Sequence, residues 1–237
     1  MTKNQLNEDD PKLKLIAARL EKIREEIEQA CASCGRSPEE ITVMAVTKTV
    51  APVYINYAVK KGGLTILGEN RAQELCEKYD DYLLKREHIH FIGHLQTNKV
   101  RQIIDKVSMI QSVDSLKLAK EIDLQAKKHH LSMDVLLEVN IGREETKSGV
   151  LPENLPDLLV SVSGLENIRI RGLMAIPPQN QAEHYFSEME ELFQKQKKEQ
   201  KWDVLSLGMS ADYPLAVRHG STMVRLGSAI FGPRNYV

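Results

Sequence analysis

The sequence predicts an α/β fold, a single (β/α)8 barrel of the TIM type with an extra N-terminal helix. Three observations carry that prediction. About eight short apolar runs alternate with helical segments, and no long linker or composition shift divides them. The first run, residues 41–46, is apolar on both faces, as a strand of a parallel sheet covered by helices on each side must be. At 237 residues, 42% apolar and 27% charged, the chain has the length of one such barrel and reads as a single domain over 1–237. The alternative is an open doubly wound sheet. It wants a glycine-rich nucleotide fingerprint after its first strand, whereas the turn there is Thr47-Lys48-Thr49-Val50.

Taken in order, the chain opens with a helix that Asp10 caps and Pro11 begins, with Leu13, Ile16, Leu20, Ile23, Ile27 and Ala30 as its apolar stripe. Because it precedes the first strand, it is an addition to the alternating pattern, packed on the barrel or across one end. Strand one, 41–46, leads to Lys48. A helix over 52–61, Gly62-Gly63 and a second strand at 64–67 follow, with Gly68-Glu69-Asn70 as a turn into a helix starting near Arg71. Further strands are expected at 88–92, 107–111 and 133–139, with Ser112 to Ser115 as turn and cap. In the second half, strands at 168–173, 204–207 and 223–226 alternate with helices around 152–161, 181–201 and 211–217.

Composition excludes several classes of function. Net charge is −1, and the basic stretch from Lys195 to Lys201 follows Glu188, Glu190 and Glu191, a solvated helix face that gives no case for nucleic acid. The first ten residues are polar and acidic, and no apolar run approaches the roughly 18 residues of a membrane span, so a cytoplasmic protein is expected. Three cysteines are most simply reduced thiols. Cys31-Ala32-Ser33-Cys34 has redox spacing, but it closes a helix ending at Gly35, whereas a reactive pair needs a helix N-terminus to depress its pKa. Without a second cysteine pair zinc is not expected. His90 and His94, on a strand and its following turn, stand roughly 13 Å apart, too far for one metal.

Lys48 ends the first strand on the face where parallel α/β folds place their chemistry. Near apolar walls a lysine ionises less readily, and its neutral amine can attack a carbonyl to form a Schiff base; the plainer reading is a strand-end lysine in water. In such barrels the loops after strands seven and eight commonly hold phosphate. Here they are Gly208-Met209-Ser210, read as following strand seven and capping a helix, and Gly227-Ser228, with small residues for close approach and hydroxyls to donate. Asp212 would repel an anion unless turned away or paired. Together these features point to a phosphate-bearing carbonyl ligand.

The sequence then resembles a known family. The segments Ala45-Val46-Thr47-Lys48-Thr49, Gly68-Glu69-Asn70, His90 through Lys99, Val139-Asn140, Lys147-Ser148-Gly149, Arg171 through Pro177, Leu207-Gly208-Met209-Ser210 and Val224 through Gly232 resemble the pyridoxal-phosphate homeostasis proteins, the YggS/PROSC group, from about residue 13 to 236. The resemblance implies a barrel of the alanine racemase N-terminal type that holds pyridoxal 5′-phosphate as a Schiff base on Lys48. It implies a role in vitamin B6 homeostasis, buffering the cofactor or delivering it to pyridoxal-phosphate-dependent apo-enzymes, with no established catalytic activity; a monomer is expected, with no catalytic residues and no metal. It assigns the phosphate to Ser210, Gly227 and Ser228 and the pyridine nitrogen to Arg225, and it counts Asn70 and Met174 as cofactor-binding. The sequence departs from some members at Val50, where a second lysine often stands, and at Gly232-Pro233-Arg234, where a lysine pair is missing. Lys147 does match, as a candidate secondary cofactor site or a solvated partner of nearby glutamates.

Two other readings compete with a carrier: a pyridoxal-phosphate-dependent racemase, and a cofactor-free barrel enzyme acting on a phosphorylated sugar or aldehyde through Lys48. Arg225 argues against strong carbanion chemistry, since arginine only donates hydrogen bonds and leaves the pyridine nitrogen unprotonated; alternatively Arg225 pairs with Glu138 inside the barrel. Racemisation also needs an acid/base group on each face of a planar imine. In the racemases this barrel resembles, a tyrosine from an extra domain serves the second face. With the sequence ending at Val237 and Tyr236 as the nearby tyrosine, no such group is expected here.

Overall fold

The computed structural model describes residues 10–178 and 181–233. Its eight strands form a closed parallel barrel in chain order: β1 (Thr42–Val46), β2 (Ile66–Glu69), β3 (Ile89–Phe91), β4 (Met109–Val113), β5 (Met133–Val139), β6 (Ile168–Ala175), β7 (Val204–Met209) and β8 (Met223–Leu226). Closure is made by β8 on β1, with Thr42 opposite Met223 and Ala45 opposite Leu226. Around it run α1 (Pro11–Cys34), α2 (Pro52–Gly62), α3 (Ala72–Lys78), α4 (Val100–Ile103), α5 (Leu116–Lys128), α6 (Leu155–Ser163), α7 (Ala182–Gln200), α8 (Tyr213–Arg218) and α9 (Ser228–Phe231).

The N-terminal helix forms as its sequence dictates. Asp10 accepts the Lys12 N–H at 2.9 Å, Pro11 occupies the first turn, and Gly35 at φ 71 ends the helix in the left-handed conformation glycine favours. Every residue of the expected stripe is buried. The helix packs against α2, α8 and α9, so it covers the flank where β8 closes on β1. Cys31, on the same face, is fully buried, and burial pushes its thiol up, opposite to what a redox pair requires.

Two strands lie two residues beyond their expected positions. β2 runs over Ile66–Glu69 instead of 64–67, so Gly68 and Glu69 belong to the strand and not to a turn. Gly68 is there for space: a Cβ would fall 2.4 Å from the Met44 sulfur on the neighbouring strand. β4 likewise runs over Met109–Val113 instead of 107–111, and Ser112 is a buried strand residue; only Ser115 caps, accepting the Leu118 N–H. β7 continues through Met209, so Gly208 and Met209 are strand, and Asp212, not Ser210, occupies the N-cap of α8. β6 bulges at Gly172, whose φ of 150 and close approach to the Val204 carbonyl leave no room for a side chain.

Side chains alternate between two cores. Outward residues such as Ala45, Leu67, Phe91 and Leu205 pack under the helices, while Met44, Val46, Ile92, Leu136, Met174 and Met223 fill the barrel interior. Each such side chain, fully buried, contributes roughly 1.5–3 kcal/mol. Through this apolar interior runs one polar chain. Arg225 donates to Ser206 Oγ at 2.7 Å, Ser206 Oγ donates to Gln111 Oε1 at 2.8 Å, and Gln111 Nε2 lies 3.0 Å from His90 Nδ1. An amide nitrogen can only donate, so His90 accepts at Nδ1 and is neutral. Burial draws its pKa down to about 4, with Asp134 opposing.

That depressed value sets a pH dependence. The unfolded chain binds a proton near pH 6.5 that the folded chain refuses until about pH 4, so this stability is fully present above pH 6.5 and is lost as pH falls towards 4. Between pH 7 and pH 4.5 the loss is on the order of 2–3 kcal/mol. Urea unfolding at the two pH values should show a stability drop larger by about that amount in the wild type than in His90→Gln. Equal drops would mean that His90 does not titrate on unfolding.

No described helix is long and apolar enough to cross a membrane. Among the described residues no three His, Cys, Asp or Glu side chains cluster as a metal site, and His94 is exposed beside Asp114 while His90 points into the barrel.

Candidate functional site

A cavity of about 460 Å³ opens at the C-terminal end of the barrel. Its walls are built where the strands run out: Val46 at the end of β1 and Lys48 in the turn after it, Asn70 after β2, Ile92 after β3, Ile176 after β6, Met209 at the end of β7 with Ser210 and Ala211 after it, and Arg225, Gly227 and Ser228 from β8 and its loop. The period of two explains the lysine. Met44 and Val46 face the interior, and continuing that alternation brings Lys48 to the same side, half-buried in the cavity wall.

Arg225 reaches the cavity from the opposite side of the same seam. It is 4% exposed, and its guanidinium donates to the Ser206 carbonyl at 2.6 Å, to Ser206 Oγ at 2.7 Å and to the Ala175 carbonyl at 2.8 Å. Neutral oxygens, not a carboxylate, therefore fix its orientation. The expected alternative of an ion pair with Glu138 is not what holds it. Burial draws Arg225 down to about 10, so it remains charged at neutral pH, and the Glu138 charge acts in the opposite sense. Glu138 itself is buried on β5 with Oε2 unpartnered, and burial pushes its carboxyl up to about 7.

The loops after β7 and β8 form a single structure. Ser210 Oγ accepts the Gly227 N–H at 3.3 Å and the Ala229 N–H at 3.1 Å, tying the loop after β7 to the first turn of α9. Ser228 and Gly227 line the cavity at that junction, where backbone N–H groups gather without side-chain bulk. Asp212 is paired: its Oδ1 accepts the Met209 N–H at 2.7 Å, which engages the carboxylate within its own loop. The result is a corner drawn together by Ser210 that shares the wall of one cavity with Lys48 and Arg225.

Asn70 lies on the cavity wall with Oδ1 buried and without a hydrogen-bond partner. Its backbone is held against Gly93, where a Cβ would fall 2.1 Å from the Asn70 carbonyl oxygen. Met174 is outside the cavity wall; fully buried, it packs in the interior layer beneath. Lys147 is exposed on the loop after β5, also outside the wall, and Tyr236 lies outside the described residues. Sequence reasoning passed over Val46, Ile92, Ile176 and Met209 as lining. For Val46, Ile92 and Ile176 the signal was available, since each lies at or just beyond a strand end on its inward register; Met209 is turned inward only by the irregularity in β7 between Ser206 and Met209.

Comparison with known proteins follows the same geometry. The family profile for the alanine racemase N-terminal domain matches residues 18–235. A pyridoxal phosphate homeostasis protein of Aquifex aeolicus is 41% identical over 224 residues, covering 92% of this chain and 98% of that protein. The protein of the same name from Escherichia coli K12 is 38% identical over 229 residues, covering 93% and 97%. Among solved structures, PipY of Synechococcus elongatus with pyridoxal phosphate bound superposes with a TM-score of 0.76 at 30% identity, over 92% of this chain and 100% of that one. An alanine racemase of Clostridium difficile shares the fold at 18% identity and a TM-score of 0.72, with the present chain spanning 56% of it.

Proposed function

The chain belongs to the family of pyridoxal phosphate homeostasis proteins, and on that premise we propose that it binds pyridoxal 5′-phosphate through a Schiff base on Lys48. It serves as a cytoplasmic, monomeric carrier or buffer of the cofactor, with pyridoxal-phosphate-dependent apo-enzymes as acceptors and no turnover of its own. One observation carries this reading: Lys48, Arg225 and the Ser210–Ser228 corner line a single cavity.

The residues fit the group. A buried, unpartnered acceptor such as Asn70 Oδ1 costs about 1–3 kcal/mol unless a ligand supplies a donor. The corner after β7 and β8 offers backbone N–H groups and the Ser228 hydroxyl to an anion. Lys48 has the only primary amine on the described wall. When bound, pyridoxal 5′-phosphate supplies an aldehyde. Lys48 would hold that aldehyde through its amine as a Schiff base, with the carbonyl oxygen released as water. Arg225 presents N–H groups to the ring and keeps its charge, so it cannot take up a proton.

Absorption spectroscopy of the purified protein with added cofactor tests the proposal. An imine band is expected, and its absence at saturating cofactor would overturn the reading. The phosphate corner makes a separate prediction. Ser210→Ala and Ser228→Ala should each weaken pyridoxal 5′-phosphate binding by about 1–3 kcal/mol, one by releasing the two amides it orders and the other by removing a donor. Unphosphorylated pyridoxal should bind far more weakly and respond little to either change. Equal sensitivity of both ligands in a fluorescence titration would place the phosphate elsewhere.

A further inference from the structure

The turn that carries Lys48 is held from outside the barrel. Thr49, immediately after the lysine, sits at φ 64, a left-handed conformation uncommon for any residue with a Cβ and a true outlier for a β-branched one. Such a backbone persists only where its surroundings over-determine it. Here the surroundings are α3. Glu74 Oε1 accepts the Thr49 N–H at 2.5 Å, and Lys78 Nζ donates to the Thr47 carbonyl at 3.1 Å. Glu74 and Lys78 are also paired with each other, one helical turn apart, and each side chain is only 15% exposed. One ion pair therefore grips the residues on both sides of Lys48.

A second group fixes the same turn. Glu69, fully buried on the outward face of β2, accepts the Thr47 hydroxyl at 2.5 Å and the Tyr82 hydroxyl through the same oxygen. The Thr47 N–H is bound to the Gly68 carbonyl at 3.1 Å. Thr47 thus has its side chain, its N–H and its carbonyl all committed. Between two such pinned neighbours, the direction in which Lys48 leaves the backbone is constrained by α3, by β2 and by the turn's own bond from the Val50 N–H to the Thr47 carbonyl at 3.0 Å.

We propose that Glu74 and Lys78 are positioning residues for Lys48: their ion pair holds the strained turn that aims the lysine amine across the cavity. This rests on the reading of Lys48 as the amine that takes up the aldehyde. Neither residue lines the cavity, so neither touches the ligand. Their effect belongs to the covalent step and not to recognition of ring or phosphate. In that step the Lys48 nitrogen forms its bond to the aldehyde carbon and water leaves, and an amine displaced by about 1 Å is expected to react up to about a hundredfold more slowly.

The test separates bond formation from binding. Lys78→Met and Glu74→Leu retain good helix formers in α3 and remove the two grips. Stopped-flow absorbance should show imine formation slowed by about 10- to 100-fold in each variant. Affinity for 4′-deoxypyridoxine 5′-phosphate, which lacks the aldehyde, should stay within about twofold, because ring and phosphate contacts are untouched. In the ligand-free protein, hydrogen exchange at the Thr49 amide should accelerate at least about tenfold in Glu74→Leu. Lys78→Arg, which keeps charge and donors, should recover most of the rate. Wild-type imine rates in both variants, or analogue affinity falling in step with the rate, would overturn the proposal. Absence of any imine in the wild type would sink the reading of Lys48 and this role with it, whereas a normal wild type with unaffected variants sinks the role of α3 alone.

Discussion

Lys48→Ala is expected to abolish the covalent imine completely while leaving a folded barrel. The chemistry requires a primary amine on the cavity wall, and among the described residues Lys48 alone supplies one there. No other described lysine is placed on the wall to substitute. Lys147 is exposed on the loop after β5, and Lys78 points into the Glu74 pair and the Thr47 carbonyl behind the turn. The fold survives because Lys48 is half-buried at a rim and removes no core volume, in contrast to Met44 and Val46 beneath it. Non-covalent binding should remain, held by the corner after β7 and β8 and by Arg225. The measurement is borohydride reduction of the loaded protein followed by mass mapping, alongside thermal unfolding by circular dichroism. In the wild type the reduced label should map to Lys48, and in the variant no label should appear. A stable label on Lys147 or Lys78 in Lys48→Ala would show that the nucleophile has been misassigned.

Much of this architecture is legible in the sequence because its signals are local. The α1 stripe repeats at helical spacing from Leu13 to Ala30, and Asp10, Pro11 and Gly35 punctuate it with residues whose conformational preferences allow little else. β5 and β8 match their expected bounds because the outward face of each is an unbroken apolar row, Met133, Val135, Leu137 and Val139 in one and Val224 and Leu226 in the other. β2 and β4 shift by two residues because Gly68 and Ser112 read as punctuation. In the barrel Gly68 is small to clear Met44, and Ser112 is a strand residue whose side chain is buried, facts that only the neighbouring strands determine. The site divides in the same way. Lys48, Arg225 and the two serine loops could be placed from their positions at strand ends. Asn70 and Met174 came from family resemblance alone, and the structure puts the first on the cavity wall and the second below it. Glu74 and Lys78 could not be found, since their bonds to the lysine turn span 25 and 31 positions and carry no local pattern.

The second large effect is expected on amino-acid substrates: the loaded protein should exchange cofactor with free amines and acceptor proteins far faster than it exchanges an amino acid's Cα proton. Racemisation moves a proton off one face of a planar system and back on the other, so it needs an acid/base group on each face. Among the described residues on the cavity wall, Lys48 and Arg225 are the titratable side chains. Arg225 cannot serve as the second base. Its pKa stays near 10 despite full burial, and three of its hydrogen bonds are spent on Ser206 and Ala175. In its proposed place beside the pyridine nitrogen it would also withhold the other requirement, since a donor there leaves that nitrogen unprotonated and weakens the ring as an electron sink. Glu138, whose carboxyl burial pushes up to about 7, has the proton affinity of a general base, yet it is not among the residues that line the wall. Loaded protein incubated with single-enantiomer alanine in deuterated water should show negligible Cα deuterium by NMR over the time in which an apo-enzyme regains activity from it. Deuterium uptake or racemisation at about 1 s⁻¹ or faster, the rate of an ordinary enzyme, that disappears in Lys48→Ala would make this chain a racemase and reject the carrier reading.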